Sequence, residues 1–385
     1  MINSGEEFLP KKKARHNTQY FEVVLKMLSR CKPVLRNRLR SIRFIHSDVG
    51  FAFDIDGVLL RSKTPIPGAS EALKLLQHHK VPFILLTNGG GTLENQRTEF
   101  ISKALDVPIS PLQIVQSHTP FKTLVPKYSK ILAVGSPTVK DVAKTYGFKE
   151  VIHPMDILRY NRSIAPFSGT TDERLLELSE EIPNLDKTPI DAVLVFNDPR
   201  DWGADIQIIS DVLNCQDGYL NTLRKENQSK PSIPIYFSNN DLLWANQYTL
   251  NRFGQGAFRI IIETMYASLN DGKPLENVVI GKPTKVTYDF AHHILIDWRQ
   301  KLLDGKTNVT DQLLPSLGEE PTSSPFKEVF MVGDNPASDI IGAHRYGWSS
   351  CLVKTGVYRD GDRLPCVPTM ITNNVLEAVR QALKV

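Results

Sequence analysis

No run of eighteen or more apolar residues occurs in the 385-residue chain, so no membrane-spanning helix is expected. Cysteine is scarce: Cys31, Cys215, Cys351 and Cys366 stand far apart and form no CxxC pair. That argues against a disulfide framework or a thiolate zinc site and reads as reduced thiols in a non-secreted protein. A decisive charge of either sign is also missing. Lys and Arg number 46 against 42 Asp and Glu, a net charge of +4, and much of the excess lies in the first fifty residues. So slight a balance does not argue for a nucleic-acid partner, and none is expected. There is no internal repeat and no low-complexity tract. The length suggests two domains, or a core carrying a large insertion.

Against that background one short stretch stands out, FAFDIDGVLL at residues 51–60. Its apolar start reads as a buried strand, and it runs into Asp54, Asp56 and Gly57. Residues two apart on a strand share a face, so both carboxylates are expected to converge on one small volume. Two like charges that close repel, and one loses its charge unless a cation lies between them. The pattern calls for a metal ion, for catalysis, or for both.

From there the chain alternates strand and helix patterns. A helix at 68–79 is followed by strand VPFILLTN at 81–88 and a helix at 93–105. A second section carries strands at 130–135, 191–196 and 233–238 with helices between them. From VVIGKP at 278–283 the first pattern resumes, with a helix at 285–300, strand EVFMVG at 328–333, a helix at 336–346 and a strand at 349–354. Residues 302–326 are polar and rich in Pro and Ser and read as an exposed loop. The alternation predicts an α/β fold, a doubly wound, Rossmann-like parallel sheet with an inserted α/β cap. The expected divisions are a basic tail at 1–48, core at 49–111, cap at 112–275 and core again at 276–385.

Each apolar strand flanking the insert ends in a polar signature: Asp54 and Asp56, then Thr87 and Asn88, then Lys282, then Asp334 with Asp339. Taken singly, a DxD is as well a solvated turn or helix cap, Thr-Asn a turn, and a lysine a surface charge. In open parallel sheets, however, ligands bind beyond the carboxyl ends of the strands, where these four groups would meet. Together and in this order they resemble the four motifs of the haloacid dehalogenase (HAD) superfamily. The placement of the insert, with ILLTNGGG, SNNDLLW, RFGQGAFRIIIETMY and IGKP, resembles class IIA of that superfamily. The resemblance is strongest to the fungal mitochondrial group related to cat-eye syndrome critical region protein 5, and it covers roughly residues 50–380.

The resemblance implies a phosphatase with Asp54 as nucleophile and Asp56 as general acid and base. It implies Mg²⁺ held by Asp54, the backbone carbonyl of Asp56, and Asp334. Thr87 and the backbone around Asn88 would then bind the phosphoryl oxygens and Lys282 would offset their charge, with Asp339 orienting Lys282 or a metal-bound water and Asn335 able to do the same. Superfamily members without phosphatase chemistry lack the second Asp of the first motif, so Asp56 favours phosphoryl chemistry. The implied substrate is a small phosphorylated metabolite, with glycerophospholipid metabolism as one setting and a homodimer through the cap as one assembly. In the insert, FNDPRDW (196–202) and SNNDLLW (238–244) offer Arg200 and Trp202 as substrate contacts, beside the alternative of polar turns with an anchoring Trp. SHTP at 117–120 marks a hinge, and His118 reads as structural. The competing reading is a non-catalytic mitochondrial binding or scaffold protein that has kept the fold. A phosphatidyltransferase would need spanning helices.

Residues 27–47 hold six Lys or Arg, three Ser and no acidic residue, the composition of a mitochondrial transit peptide. Leu35, Leu39 and Ile42 would line one helical face. The first 26 residues contain three Glu and a Pro and suit a presequence poorly, so either Met27 is the start used for import or the first 26 residues are dispensable. The expected compartment is the mitochondrial matrix. KKKAR at 11–15 reads as a solvated basic tail.

Overall fold

A computed structural model describes residues 48–244, 248 and 250–385; the segment read as a transit peptide and KKKAR lie outside the described residues. The fold is built on two parallel sheets. The first has six strands, in the order Met370–Thr372, Ser349–Val353, Glu328–Gly333, Val49–Phe53, Phe83–Leu86 and Ile114–Val115. All of its pairings are parallel. The second has five, in the order Val278–Val279, Ile235–Phe237, Ala192–Val195, Lys130–Val134 and Glu150–Ile152, again all parallel.

Near-continuous apolar runs such as FILL at 83–86 are what a sheet covered on both faces demands. Ala52, Ile84, Leu86, Val329 and Met331 pack under Tyr288, Ala291, Ile294 and Leu295 of the long helix Lys285–Asp304. Phe51, Phe53 and Phe330, one residue out of step and so on the other face, stack on one another. The second sheet builds a separate core from Leu132, Val193, Val195, Ile235 and Phe237 against Ile208, Ile209 and Val212 of helix Trp202–Asn214 and Phe258 of helix Gln255–Leu269.

Both expected division points shift. Ile114–Val115, read as cap, pairs with Leu85 and Leu86 and closes the edge of the first sheet. Val278–Val279, read as resumed core, pairs with Tyr236 and Phe237 and closes the edge of the cap sheet. Two-residue apolar strands fit any free parallel edge, and the hinge geometry decides which. The chain therefore crosses between the sheets at about 116–124 and 280–284. The 302–326 segment is mostly exposed, as its composition implies, but Leu314, Leu317 and Phe326 tie it to the body.

Strand Val49–Phe53 is the pivot of the first sheet, because the chain continues to Phe83–Leu86 on one side while Glu328–Gly333 returns on the other. That is the topological switch point at which open α/β sheets bind ligands. Asp54 stands directly beyond it.

Candidate active site

The four strand-end signatures meet at this crevice. The Asp54 N–H donates to the Val332 carbonyl at 2.9 Å, which holds the residue at the strand end with its side chain buried. Lys282, only 2% exposed, reaches in from the second hinge crossing. Its Nζ lies 2.7 Å from Asp54 Oδ1 and 2.7 Å from Asp339 Oδ1, and it donates to the Leu86 carbonyl at 2.9 Å. Burial works against the ammonium, but Asp339 and Asp54 outweigh it and hold its pKa above the ordinary lysine value. Lys282 is thus a permanent cation.

Asp54, Asp334 and Asp339 can bring carboxylate oxygens within 4.8 Å of one another, and all three are buried. Burial pushes the Asp334 carboxyl well up, with the charges of Asp54 and Asp339 adding. Burial and Asp54 also raise Asp339, to about 6, against the pull of Lys282. One lysine does not neutralise three buried carboxylates. An all-oxygen donor set with surplus negative charge fits a small hard cation such as Mg²⁺.

The backbone around these groups leaves room only for glycine at Gly333, where a Cβ would lie 2.2 Å from Asp339 Cβ, and at two points around Asp334. A Cβ on Gly57, whose φ is +88°, would lie 2.4 Å from Asp334 Oδ2, and one on Gly356 would lie 1.8 Å from the same atom. The carboxylate is then fixed by the Val357 N–H, which donates to Oδ2 at 2.6 Å. Asp339 sits in a π-type turn at Pro336–Ile340 that precedes helix Ile341–Tyr346, where a single helix over 336–346 was expected. Such turns favour functional positions because they re-aim one side chain.

Two expectations change here. The strand ends at Phe53, so Asp54 and Asp56 are not two residues of one strand and the same-face rule does not place them. Asp54 points inward to Lys282, whereas the Asp56 side chain is exposed at the mouth, 3.5 Å from Arg97 Nη2. Partial desolvation and the charge of Asp54 raise the Asp56 carboxyl, with Arg97 and Lys282 opposing. The side-chain triad is completed by Asp339, not Asp56. Asn335 does not reach toward Lys282: its Oδ1 accepts from the Ala337 N–H at 2.9 Å as a turn cap, and its own N–H donates to Asp339 Oδ2 at 3.1 Å. The Asn88 side chain is spent on the hinge, which leaves the expected role of the backbone around it untouched. Its Oδ1 accepts from the Lys282 N–H at 2.7 Å, and its Nδ2 donates to the Lys282 carbonyl and to Asp241 Oδ2, each at 3.0 Å. Thr87 stays buried at the crevice, its Oγ1 accepting from the Gly89 N–H at 3.0 Å, which keeps the hydroxyl proton for a further acceptor.

Arg200 is exposed and donates to the Asp198 carbonyl at 2.9 Å. Trp202 packs edge-on to Phe258 with centroids 5.3 Å apart, and its Nε1 donates to the Pro199 carbonyl. Trp202 therefore anchors a helix in the cap core, the alternative held open for this motif. One cap residue that does meet the core beside Lys282 is Asp241, in the other flagged segment; burial raises its carboxyl, and Lys282 and Asp54 both act on it electrostatically.

Beside the crevice lies a buried chain that the sequence did not signal. Glu94 Oε1 accepts from Thr119 Oγ1 at 2.8 Å and Tyr146 Oη at 2.6 Å and pairs with Lys122 Nζ at 3.1 Å. The single Tyr146 proton goes to this carboxylate, so the 2.8 Å contact with His118 is made by an imidazole Nδ1–H donating to the phenol oxygen. His118 Nε2 is buried without a hydrogen-bond partner, and burial pushes this histidine down to about 4. The chain ties a core helix, the first hinge crossing and a cap helix together.

Comparison with known proteins agrees with the geometry. The profile described as haloacid dehalogenase-like hydrolase matches residues 51–149, and a second, HAD-hydrolase-like, matches 279–378. A mitochondrial hydrolase of Saccharomyces cerevisiae is 64% identical over 337 residues, covering 87% of this chain and 96% of that protein. A cardiolipin synthase (CMP-forming)/mitochondrial hydrolase fusion protein of Schizosaccharomyces pombe is 41% identical over 343 residues, 88% of this chain and 53% of that protein. Among solved structures, a p-nitrophenyl phosphatase from Archaeoglobus fulgidus superposes with a TM-score of 0.54 at 16% identity, over 87% of this chain and 99% of that one. At that identity the likeness speaks to the fold.

Proposed function

We propose that this chain, which belongs to the haloacid dehalogenase-like hydrolases, is a Mg²⁺-dependent phosphatase of a small organic phosphate monoester. The observation that carries the reading is the buried Asp54, Asp334, Asp339 triad with Lys282 in its midst, at the switch point of a parallel sheet. Asp54, Asp334 and the backbone carbonyl of Asp56 would hold the cation, which when bound supplies positive charge against the phosphoryl oxygens.

Phosphate monoester hydrolysis demands barrier reductions on the order of 20 kcal/mol, which a carboxylate nucleophile divides between two steps. In the first, an Asp54 oxygen bonds to phosphorus as the ester P–O bond breaks, and Asp56 passes its proton to the departing oxygen. In the second, Asp56 takes a proton from water as the water oxygen bonds to phosphorus and the Asp54 ester breaks, releasing phosphate and restoring both residues. Lys282 pairs with Asp54 at 2.7 Å and offsets phosphoryl charge. Thr87 has a free hydroxyl proton to donate. Asp339 serves by fixing Lys282. An intact set of these residues disfavours the scaffold reading.

A cap at the crevice argues against folded phosphoproteins and supports small metabolites, with the hinge-facing segment around Asp241 a better candidate for substrate choice than Arg200 or Trp202. A setting near glycerophospholipid synthesis is supported by the fusion partner named in the Schizosaccharomyces relative. Import into the mitochondrial matrix through residues 27–47 is supported by their composition and by the relatives' names. Self-association through the cap is supported by Ile261, Met265 and Leu269, an exposed apolar stripe at i, i+4 and i+8 on helix Gln255–Leu269. The deciding experiment is phosphate release by the purified protein from a panel of phosphorylated metabolites with and without Mg²⁺. Metal-dependent release from at least one member supports the reading; no release from any, at enzyme concentrations that bind Mg²⁺, overturns it.

A further inference from the structure

Arg97 belongs to none of the four strand-end signatures, yet its guanidinium meets the one catalytic carboxylate that lies at the mouth of the crevice. Nη2 of Arg97 is 3.5 Å from Asp56 Oδ2. Arg97 sits in the first turn of helix Glu94–Leu105, with its guanidinium carbon 6.0 Å from the centroid of the Phe100 ring on the same helix.

The base from which this arginine reaches is unusually well held. Glu94, one turn earlier on the same helix, is buried and bound by Thr119, Tyr146 and Lys122, residues of the hinge and the cap. The helix cannot slide along the crevice without breaking those contacts. The other nearby cation, Lys282, is committed to Asp54, Asp339 and the Leu86 carbonyl.

We infer that Arg97 is a positioning residue for the acid–base carboxylate, holding Asp56 in the orientation from which it serves the leaving group. The inference rests on the proposed role of Asp56. An exposed aspartate is otherwise free to turn among its rotamers, and proton transfer requires the acid within about 3 Å of the departing oxygen. At 3.5 Å the guanidinium restrains the carboxylate by charge, a longer contact than the short paired hydrogen bonds of a bidentate arginine pair, which would occupy both oxygens. A guanidinium also stays charged whatever the protonation state of its partner, so the restraint persists through both steps.

The test uses the leaving group as the readout. The ratio kcat/KM reports events up to departure of the alcohol, so slow breakdown of the phosphoenzyme does not enter it. Nitrophenolate departs without a proton, whereas phenolate is helped by one. Full-length wild type, Arg97→Met, Arg97→Lys and Asp56→Asn are compared on 4-nitrophenyl phosphate and phenyl phosphate, each variant being checked for a wild-type circular dichroism spectrum. For Arg97→Met, kcat/KM is expected to fall about tenfold or more further on phenyl phosphate than on 4-nitrophenyl phosphate, with Arg97→Lys recovering part of the difference. Equal losses on both substrates, as a phosphate-binding or merely structural arginine would give, overturn the inference, as does no loss. Should Arg97→Met fail to fold, Arg97→Lys decides on the same ratio. If Asp56→Asn itself shows no leaving-group bias, the acid–base reading of Asp56 fails independently of Arg97.

Discussion

Acidification should destabilise the fold through His118, and the size of the effect follows from where this imidazole sits. It is fully buried at the first hinge crossing, tilted against Phe196, with Nδ1 bound to Tyr146 and Nε2 unpartnered. Burial is the main cause of its depressed pKa, from 6.5 to about 4, with the Glu94 charge opposing. Above pH 6.5 the residue is neutral whether the chain is folded or not, and its stabilising share is fully present. As the pH falls below that value the unfolded chain binds a proton that the folded chain refuses, so stability declines until the folded pKa is reached. At about 1.4 kcal/mol per unit, the total approaches about 3 kcal/mol. Between about pH 7 and about pH 5 the same linkage amounts to about 1.8 kcal/mol. His153 and His292 are also buried and depressed to about 4 by burial, so the whole protein should lose more than this. The share of His118 is isolated by His118→Asn, whose amide can donate to Tyr146 in place of Nδ1–H but does not titrate. Urea unfolding of both proteins at the two pH values checks it. The variant will start less stable for packing reasons, but its loss on acidification should be smaller by about 1.8 kcal/mol. Parallel losses in the two proteins would refute the argument, since a partly hydrated or paired imidazole would show no such difference.

Further outcomes follow from the crevice itself. Asp54→Asn should retain the fold and lose all but a few per cent of turnover, because an amide cannot form the acyl phosphate; phosphate-release kinetics on the folded variant measure it. Turnover should cease in excess chelator, return with Mg²⁺, and be inhibited by Ca²⁺, whose looser coordination can take both Asp54 oxygens; undiminished activity in chelator would remove the metal assignment. Gly356→Ala drives a methyl group into the Asp334 carboxylate and should weaken Mg²⁺ binding about tenfold or more, as titration calorimetry would read. Lys282→Met leaves Asp54 and Asp339 buried without their cation and should cost about 3–5 kcal/mol in metal-free protein, part of it returned by Mg²⁺, judged from urea midpoints with and without the ion.

How much of this was legible in the chain depends on the range of the interaction concerned. Apolar strand runs ending in Asp54, Thr87 and Asp334 are local patterns, and a parallel sheet necessarily brings such ends to one edge, so the fold class and the meeting of those three signatures could be read directly, whereas Lys282 follows a strand of the second sheet and arrives from the hinge crossing. The family resemblance then supplied roles that spacing alone does not. Side-chain partnership was a different matter. That Asp54 turns in to Lys282 while Asp56 turns out to Arg97 depends on where a strand stops, a matter of one residue. That Asn88 serves the hinge follows from a contact with a residue 194 positions away. Val278–Val279 could have extended either sheet by its sequence, and only the free edge beside Tyr236 and Phe237 assigned it to the cap. The Glu94, Tyr146 and His118 chain joins three segments whose separate sequences show an ordinary helical glutamate, a helix-terminal tyrosine and a loop histidine. Periodicity reports which face of an element is buried; it carries no information about which distant polar group shares the burial, and desolvation makes that pairing decisive once the layers close.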